Sequence, residues 1–322
     1  MIVACIITTD GSKKVLTKLK RAIRSAKKKS SIDINTLIYI VTNNSDLRSQ
    51  LLDLDIDNFI LIDKSPGFGE RNNIAIFEIF NFFSPDYFIF LNDDAYLADD
   101  FFFEFSKLAK KNGSDLFVPL VSFPNSDIID SYGAEYFKSG YVKNAQDISY
   151  ETTMATGACL VVKTSLLKKM KSKYGFYFNP LFHYYLEDTD FSIRAHGVNA
   201  RFHKSVKLNV FHEGSLTAGM LSEFTIYHTY RNIIWLIILT WPVRYIISYL
   251  PYIIFVHMWL MFSSFSFKIL FFYGKMIVDT IRKSKELYMY RKKNVSNYYK
   301  SFEFESVFSP YFFRTRRINI PY

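Results

Sequence analysis

The sequence predicts an α/β protein with a doubly wound mixed sheet, followed by a hydrophobic helical appendage. Apolar runs of strand length alternate with helical patterns through the first half of the chain. After about residue 224 charged residues become scarce, and all three Trp lie between residues 235 and 259. We therefore expect two regions: residues 1–224 as the sheet domain, and residues 225–322 as a helical region that ends in a basic tail.

The first strand is predicted at Ile2–Thr8, a continuous apolar run typical of a parallel strand covered on both faces. A helical pattern runs from Val15 to Ile23, with Lys and Arg on its other face. The later strands are predicted at Thr36–Thr42, Phe59–Asp63, Tyr87–Leu91, Asp115–Val121 and Gly157–Lys163. Further helices are predicted around residues 45–54, 70–83 and 186–197. Doubly wound sheets bind ligands at the carboxyl ends of their strands, so polar residues there are the first site candidates.

Composition limits the classes of protein that fit. Cys5 and Cys159 each lie in an apolar run without framework spacing, which favours a reducing compartment. The run Ile2–Ile7 is too short for a signal peptide. Residues 11–30 hold nine Lys or Arg and no acid, within a net charge of +10. Because these charges follow helical spacing without a recognition motif, they indicate a solvated or membrane-facing helix, and we expect no nucleic acid partner.

Two carboxylate clusters are candidate sites. Asn92–Asp94 directly follows a predicted strand, and its oxygens suit Mg²⁺ or Mn²⁺, although short acidic triplets are common. Asp99 and Asp100, by contrast, fit an N-cap and a first-turn acid of the next helix.

The second cluster places three carboxylates in four positions, at Glu187, Asp188 and Asp190. Glu187, Asp190 and Arg194 fall near one face of the predicted helix, which is consistent with structural ion pairs. Asp188 points elsewhere and is the candidate general base; an ordinary charged helix start is the alternative.

Two further segments are ambiguous when read alone. His212 follows an apolar pair at a strand end, where a buried core His and a metal ligand are both plausible roles. The segment 65–73, SPGFGERNN, is a glycine-containing turn that opens a helix, and it suits either close backbone approach to a ligand or a simple turn.

The order of these segments resembles a known family. The segments are IVACIITTDG, YIVTNNS, SPGFGERNNIAI, FLNDDAYLADDFF, ATGACLVVKTSLL, GFYFNPLFHYYLEDTDFSIRAHG and VKLNVFHEGS. Over about residues 1–235 the chain closely resembles the inverting family 2 glycosyltransferases of GT-A fold, particularly the rhamnosyltransferase-like branch. The block that contains TGACLVV and EDTDFSIRAHG is the most specific part of the match.

The resemblance implies a role for each matching position. Asp94 would be the main metal ligand, His212 would help hold the ion and the diphosphate, and Asp188 would be the general base. The ion would be Mn²⁺ or Mg²⁺. The positions that match donor contacts are Thr8, Thr9, Thr42, Asn43, Gly67, Gly69, Arg71, Asn72, Asn92 and Asp93. The segment YRN, Tyr230–Asn232, also fits this branch, but the resemblance gives it no role.

The sequence departs from the family pattern at four places. Thr42 stands where the family usually has an Asp that contacts the nucleobase, and Thr8-Thr9-Asp10 replaces the usual TYN. Ser65 replaces an Asn, and Asn92 replaces the first acid of the metal motif. These departures leave the donor nucleobase open among uridine, thymidine and guanosine.

The implied reaction is sugar transfer from a nucleotide-diphosphate sugar to a hydroxyl of a glycan or lipid-linked acceptor, with inversion. Asp188 would deprotonate the acceptor while the ion neutralises the departing diphosphate. A nucleotidyltransferase is a second reading, supported only by Lys13 and Lys14 after the first strand. A membrane-bound sugar-binding protein with a degenerate site is a third.

The C-terminal region predicts membrane association from the cytoplasmic side. From Ile233 to Tyr273 the only formal charges are Arg244 and Lys268. We expect Pro242, Arg244 and Pro251 to break its first half, which leaves Tyr252–Tyr273 as the better spanning candidate. Basic residues on both flanks nevertheless favour helices lying in the interface, or a shallow hairpin, over one crossing. A buried helical layer or a homo-oligomer interface is the alternative.

Overall fold

The computed structural model describes residues 1–28, 33–64, 66–149, 154–214, 223–263, 267–298 and 304–309. The strands are β1 Ile2–Thr8, β2 Asn35–Thr42, β3 Asn58–Leu61, β4 Tyr87–Asn92, β5 Ala95–Leu97, β6 Leu116–Ser122, β7 Ile129–Ser131, β8 Ala134–Tyr136, β9 Val142–Asn144, β10 Cys159–Lys163 and β11 Phe202–His212. The helices are α1 Leu16–Lys27, α2 Leu47–Gln50, α3 Phe68–Phe82, α4 Phe101–Asn112, α5 Thr164–Tyr174, α6 Glu187–Gly197, α7 Glu223–Thr240, α8 Val243–Ser263, α9 Phe267–Arg282 and α10 Ser284–Tyr298. A 3₁₀ turn spans Phe304–Val307.

The central sheet is mixed, as the sequence predicts. Its strands follow the order β3-β2-β1-β4-β10-β6-β11-β5, and β7 pairs with β6. The first four strands in this order are parallel, whereas β10 runs antiparallel to both β4 and β6. The register places Thr8 of β1 beside Asn92 of β4, and Ala95 of β5 beside His212 of β11. The polar ends of three strands therefore meet at one edge of the sheet.

Both faces of the sheet are covered, because successive side chains of β1 alternate between two buried clusters. Val3, Cys5 and Ile7 pack with the apolar faces of α1 and α4, while Ala4 and Ile6 face the side of α3, α5 and α6. Both cysteines are free and buried in the cluster on the α1 side. This two-sided covering explains why β1 reads as one continuous apolar run.

The C-terminal helices include one that is part of the core. Ile233, Leu236 and Leu239 of α7 are fully buried in the cluster on the α3 side. Just beyond α7, Trp241 is also buried, and its ring packs against Tyr136 of β8 with centroids 6.1 Å apart. Helix α7 thus completes the core on the α3 side.

The expected breaks after α7 are only partly present. Helix α7 ends at Thr240, directly before Trp241-Pro242, as a proline at this position favours. The expectation of a break at Pro251 is wrong: α8 runs through it from Val243 to Ser263, with Pro251 exposed. An exposed proline leaves the freed carbonyl of the preceding turn accessible to solvent, which reduces the cost of the lost hydrogen bond.

None of the described helices is both long and apolar enough to cross a membrane. The stretch Tyr252–Tyr273 is divided between α8 and α9, and residues 264–266 between them lie outside the described part of the chain. Ser65, one of the departures from the family pattern, also lies outside it.

Candidate active site

A cavity of about 560 Å³ opens at the edge where the polar strand ends meet. Its size is typical of a small-molecule site. Predicted site residues that line it are Thr8, Thr9, Arg71, Asn92, Asp93, Asp94, Asp188 and His212. The fold thus brings both carboxylate clusters and the strand-end His into one space, although Asn92 and His212 lie 120 positions apart in the sequence.

On one wall, Asp94 and His212 are in direct contact. The Asp94 Oδ1 atom lies 3.1 Å from His212 Nε2, and Asp130 Oδ2 lies 2.8 Å from His212 Nδ1. Burial alone would lower the pKa of His212, but hydrogen bonds to Asp130 and Asp94 raise it to about 10. The imidazolium in turn lowers the pKa of Asp94, against the opposing effect of burial. The ring is therefore oriented from both sides.

The spacing of this pair fits two neighbouring ligands of one divalent ion. Adjacent octahedral ligands about 2.1 Å from Mg²⁺ lie about 3 Å apart, close to the 3.1 Å between Asp94 Oδ1 and His212 Nε2. Asp130 would then hold the His ring from behind, as carboxylates commonly do for metal-ligating His. Among the described residues, no group of three or more His, Cys, Asp or Glu forms a complete metal site. Any further ligands would have to come from the substrate, water or other protein oxygens.

The neighbouring acid Asp93 lies deeper. Burial raises its pKa to about 6, and the charges of Asp94 and Asp10 act in the same direction, while a hydrogen bond from Thr9 opposes them. Asp93 is half-buried and lies beside the end of β1, on the side where the resemblance places the nucleotide.

The cavity is also lined by Glu187 and Asp188, in the first turn of α6. Asp188 Oδ1 accepts a 2.7 Å hydrogen bond from the Thr189 amide. Burial raises the pKa of Asp188, and the Thr189 and Gly157 amides offset part of this. Burial, followed by the charge of Asp188, raises the pKa of Glu187 to about 8. A carboxyl group whose pKa is raised towards neutral pH in this way suits proton abstraction.

Asp190, the third carboxylate of this cluster, faces away from the cavity into the core. Its Oδ2 atom lies 2.7 Å from Nε of Arg194, and the two side chains are 1% and 0% exposed. Arg194 also donates to the carbonyl oxygen of Tyr177 at 2.8 Å and lies over the Phe176 ring. This confirms the ion pair that the helical spacing predicts.

The two glycines of the glycine turn, Gly67 and Gly69, lie close to other parts of the protein. A Cβ atom on Gly67 would lie 1.5 Å from the carbonyl oxygen of His183, and one on Gly69 would lie 3.0 Å from Phe178 Cβ. Neither glycine lines the cavity, and neither do Thr42, Asn43 or Asn72. The described contacts explain these glycines by packing, and their donor-binding role stays a prediction.

Arg71 lines the cavity and connects three elements of the fold beside it. Its side chain, 4% exposed, donates to the carbonyl oxygens of Thr9 and Pro66 and, at 3.1 Å, to Asn43 Oδ1. Arg71 thereby ties the ends of β1 and β2 to the start of α3. Thr42 plays a local part, since its hydroxyl accepts the Asn44 amide at 3.1 Å.

Sequence reasoning missed two groups at this site. Asp130 lies on the three-residue strand β7, and nothing in its local sequence marks it. Tyr184, Tyr185 and Leu186 form a turn that lines the cavity, and the last two have left-handed φ angles of 67° and 65°. Non-glycine residues rarely adopt this conformation, so no sequence pattern signals it.

Solved structures of similar fold are GT-A glycosyltransferases. S. aureus TarS matches 92% of this chain and 54% of its own, with a TM-score of 0.53 and 16% identity. GalNAc-T7, crystallised with UDP, GalNAc and Mn²⁺, matches 79% of this chain and 49% of its own, with a TM-score of 0.56 and 14% identity. The chain therefore spans about half the length of these two proteins.

A shorter form of S. aureus TarS, residues 1–349 in complex with UDP-GlcNAc, matches 92% of this chain and 89% of its own, with a TM-score of 0.52 and 16% identity. No protein-family model and no curated protein sequence matches the chain. At these identities the likeness establishes the fold alone, which is the GT-A fold.

Proposed function

We propose that this protein is an inverting glycosyltransferase that moves a sugar from a nucleotide-diphosphate sugar to an acceptor hydroxyl. The observation that carries the proposal is that two groups line one cavity: the Asp94–His212 pair and the carboxylates Glu187 and Asp188. The first group suits a diphosphate with its counter-ion, and the second suits removal of a proton. The bound UDP and UDP-GlcNAc of the fold neighbours support a nucleotide-sugar donor here.

Asp188 would act as the general base. It would take the proton of the acceptor hydroxyl as the oxygen attacks the anomeric carbon, and the bond from that carbon to the diphosphate oxygen would break on the opposite face. One such displacement inverts the anomeric configuration. Burial, which raises the pKa of Asp188, favours this role, and the Thr189 amide at 2.7 Å fixes the carboxylate orientation.

Asp94 and His212 would hold a divalent ion, Mn²⁺ or Mg²⁺, against the diphosphate. When bound, the ion would offset the charge on the departing group. The Mn²⁺ of GalNAc-T7 supports this choice of ion. Because the contact with Asp94 and Asp130 keeps His212 protonated, ligation through Nε2 would release a proton.

The test is a screen of nucleotide sugars, read as release of nucleoside diphosphate with and without Mn²⁺. We expect turnover of at least one donor, its loss in EDTA, and its loss in Asp94→Ala. Full activity in EDTA would refute the metal assignment. A protein that binds a donor but never cleaves it, with any acceptor, would instead be the degenerate sugar-binding protein.

We further propose that α8 and α9 lie on an anionic membrane surface, where a lipid-linked acceptor would reach the site. Their outer faces expose large apolar side chains, each 43–69% exposed: Val243, Ile247, Leu250, Ile254, Phe255, Met258, Trp259, Phe271, Ile277, Val278 and Ile281. Exposed basic residues accompany them, namely Arg244, Lys275, Arg282, Lys283, Lys285 and Lys292. Exposed apolar side chains accompanied by exposed positive charge suit the boundary between headgroups and acyl chains.

Vesicle flotation tests this membrane proposal. The full chain should float with vesicles that contain phosphatidylserine, and a variant carrying Ile247→Gln, Phe255→Gln and Ile281→Gln should not. A matched control replaces three equally exposed apolar residues elsewhere, Leu52, Phe77 and Phe82, by Gln and should still float. Equal flotation of both variants would refute the proposal, and a detergent-free dimer disrupted by the first variant would identify a homo-oligomer interface instead.

A further inference from the structure

The turn that precedes the catalytic carboxylates is strained. Tyr185 and Leu186 have φ angles of 67° and 65°, and Leu186 is the N-cap residue of α6. Two consecutive non-glycine residues keep this conformation only where their surroundings hold it. Glu187 and Asp188 follow at once, so the direction of both carboxylates depends on the turn.

Asn232 of α7 holds this turn through its side-chain amide. The Asn232 Nδ2 atom donates to the carbonyl oxygens of Tyr184 and Tyr185, each at 2.7 Å. The residue is fully buried. Its two donors therefore hold two successive peptide groups of the strained segment, in a place that the backbone of α6 does not reach.

Arg231 fixes the orientation of that amide. Its Nε and one terminal nitrogen donate to Asn232 Oδ1 at 3.0 and 2.9 Å. A guanidinium has no acceptor, so only the oxygen of Asn232 can face it, and the amide nitrogen must face the turn. The Arg231 guanidinium is itself held over the Trp235 ring at 4.3 Å.

The same turn is confined from a second side. The Gly67 backbone lies so close to the His183 carbonyl that a Cβ atom there would be 1.5 Å from the oxygen. The segment from His183 to Leu186 is thus held between the start of α3 and the middle of α7.

We propose that Asn232 is a positioning residue that fixes the Tyr184–Leu186 turn and thereby aims Asp188 at the acceptor hydroxyl. The role rests on the proposed transferase function for its catalytic consequence. Asn232 gives the segment YRN a role, because it holds the turn through contacts with residues 48 and 47 positions earlier in the sequence.

The experiment compares the full-length protein with Asn232→Asp, which keeps an oxygen for Arg231 but turns an acceptor towards the two carbonyl groups. Thr240→Val is the matched control: it removes a buried 2.7 Å hydrogen bond of the same helix, to Leu236, without touching the turn. Amide hydrogen exchange of the peptide covering 183–189 and transferase kinetics are measured on all three proteins.

In Asn232→Asp, exchange at 183–189 should be faster and kcat should fall at least tenfold, since a misplacement of about 1 Å can cost about 100-fold. KM for the donor should hardly change, because the substitution leaves the Asp94–His212 pair in place. Thr240→Val should match the wild type in both readouts. Unchanged exchange in Asn232→Asp would overturn the inference, as would faster exchange with normal kcat. A wild-type protein without transferase activity would overturn the proposed function and the catalytic consequence with it, while the exchange result would still decide whether Asn232 holds the turn.

Discussion

The substitution Asp190→Asn separates a structural carboxylate from that of Asp188, the proposed general base. Asp190 and Arg194 form a 2.7 Å ion pair with side chains 1% and 0% exposed. The substitution would leave the Arg194 charge buried without its counter-ion, while the contact with the Tyr177 carbonyl would remain. Breaking one partner of such a pair typically costs about 3–5 kcal/mol.

For a chain of 322 residues, that loss corresponds to a melting temperature lower by about 4–7 °C. Urea denaturation followed by circular dichroism measures it directly. The matched control is Glu286→Gln, which removes an exposed pair with Lys283 on α10, where the expected loss is about 0–1 kcal/mol. Equal stability of Asp190→Asn and the control would refute the reasoning. A stable Asp190→Asn protein that has lost transfer would identify Asp190, in place of Asp188, as the base.

Three further predictions concern the two walls of the cavity. Asp188→Asn should lower transfer by about 10²–10⁴-fold and leave donor binding, measured by calorimetry, nearly unchanged; near-normal transfer would move the base to Glu187 or Asp190. Asp130→Asn should weaken Mn²⁺ affinity about 10–100-fold in titration calorimetry, because His212 loses the partner of its Nδ1 atom; unaltered affinity would contradict the metal assignment of His212. The pKa of Glu187 is raised from 4.5 to about 8, so the folded state binds this proton more tightly than the unfolded chain. The resulting stabilisation of the fold is present at low pH and is lost as the pH rises between these two values. Glu187→Gln should therefore lose less stability than the wild type between pH 5 and 8 in urea denaturation, and parallel curves would disprove the shift.

Much of the sheet was predictable because each strand carries its own signal. The run Ile2–Thr8 is apolar at every position but the last, and it folds as a strand with both faces buried. The ion pair of Asp190 with Arg194 follows directly from four-residue spacing on a helix. The contact of Asp94 with His212 does not follow from local spacing, since it depends on β5 pairing with β11. The order of motifs anticipated that meeting, although no local pattern contains it.

The unpredicted parts of the site depend on long-range contacts. Asp130 matters only because β7 joins β6 at the sheet edge, and this brings its carboxylate to His212. The left-handed turn at Tyr185 and Leu186 persists because Asn232 holds it from a helix 47 positions later. Likewise, the sequence leaves Gly67 open between close approach to a ligand and a simple turn, and no local pattern shows that the His183 carbonyl lies beside it. In each case tertiary contact decides the local feature.

The burial of α7 has a consequence for biosynthesis. The core on the α3 side is completed only when Ile233, Leu236 and Leu239 arrive, well after β11 ends at His212. A nascent chain still on the ribosome therefore exposes the apolar side chains that pack against α7 until these residues leave the exit tunnel. At about 5–20 residues per second that interval is on the order of seconds, long enough for a chaperone to bind the emerging chain.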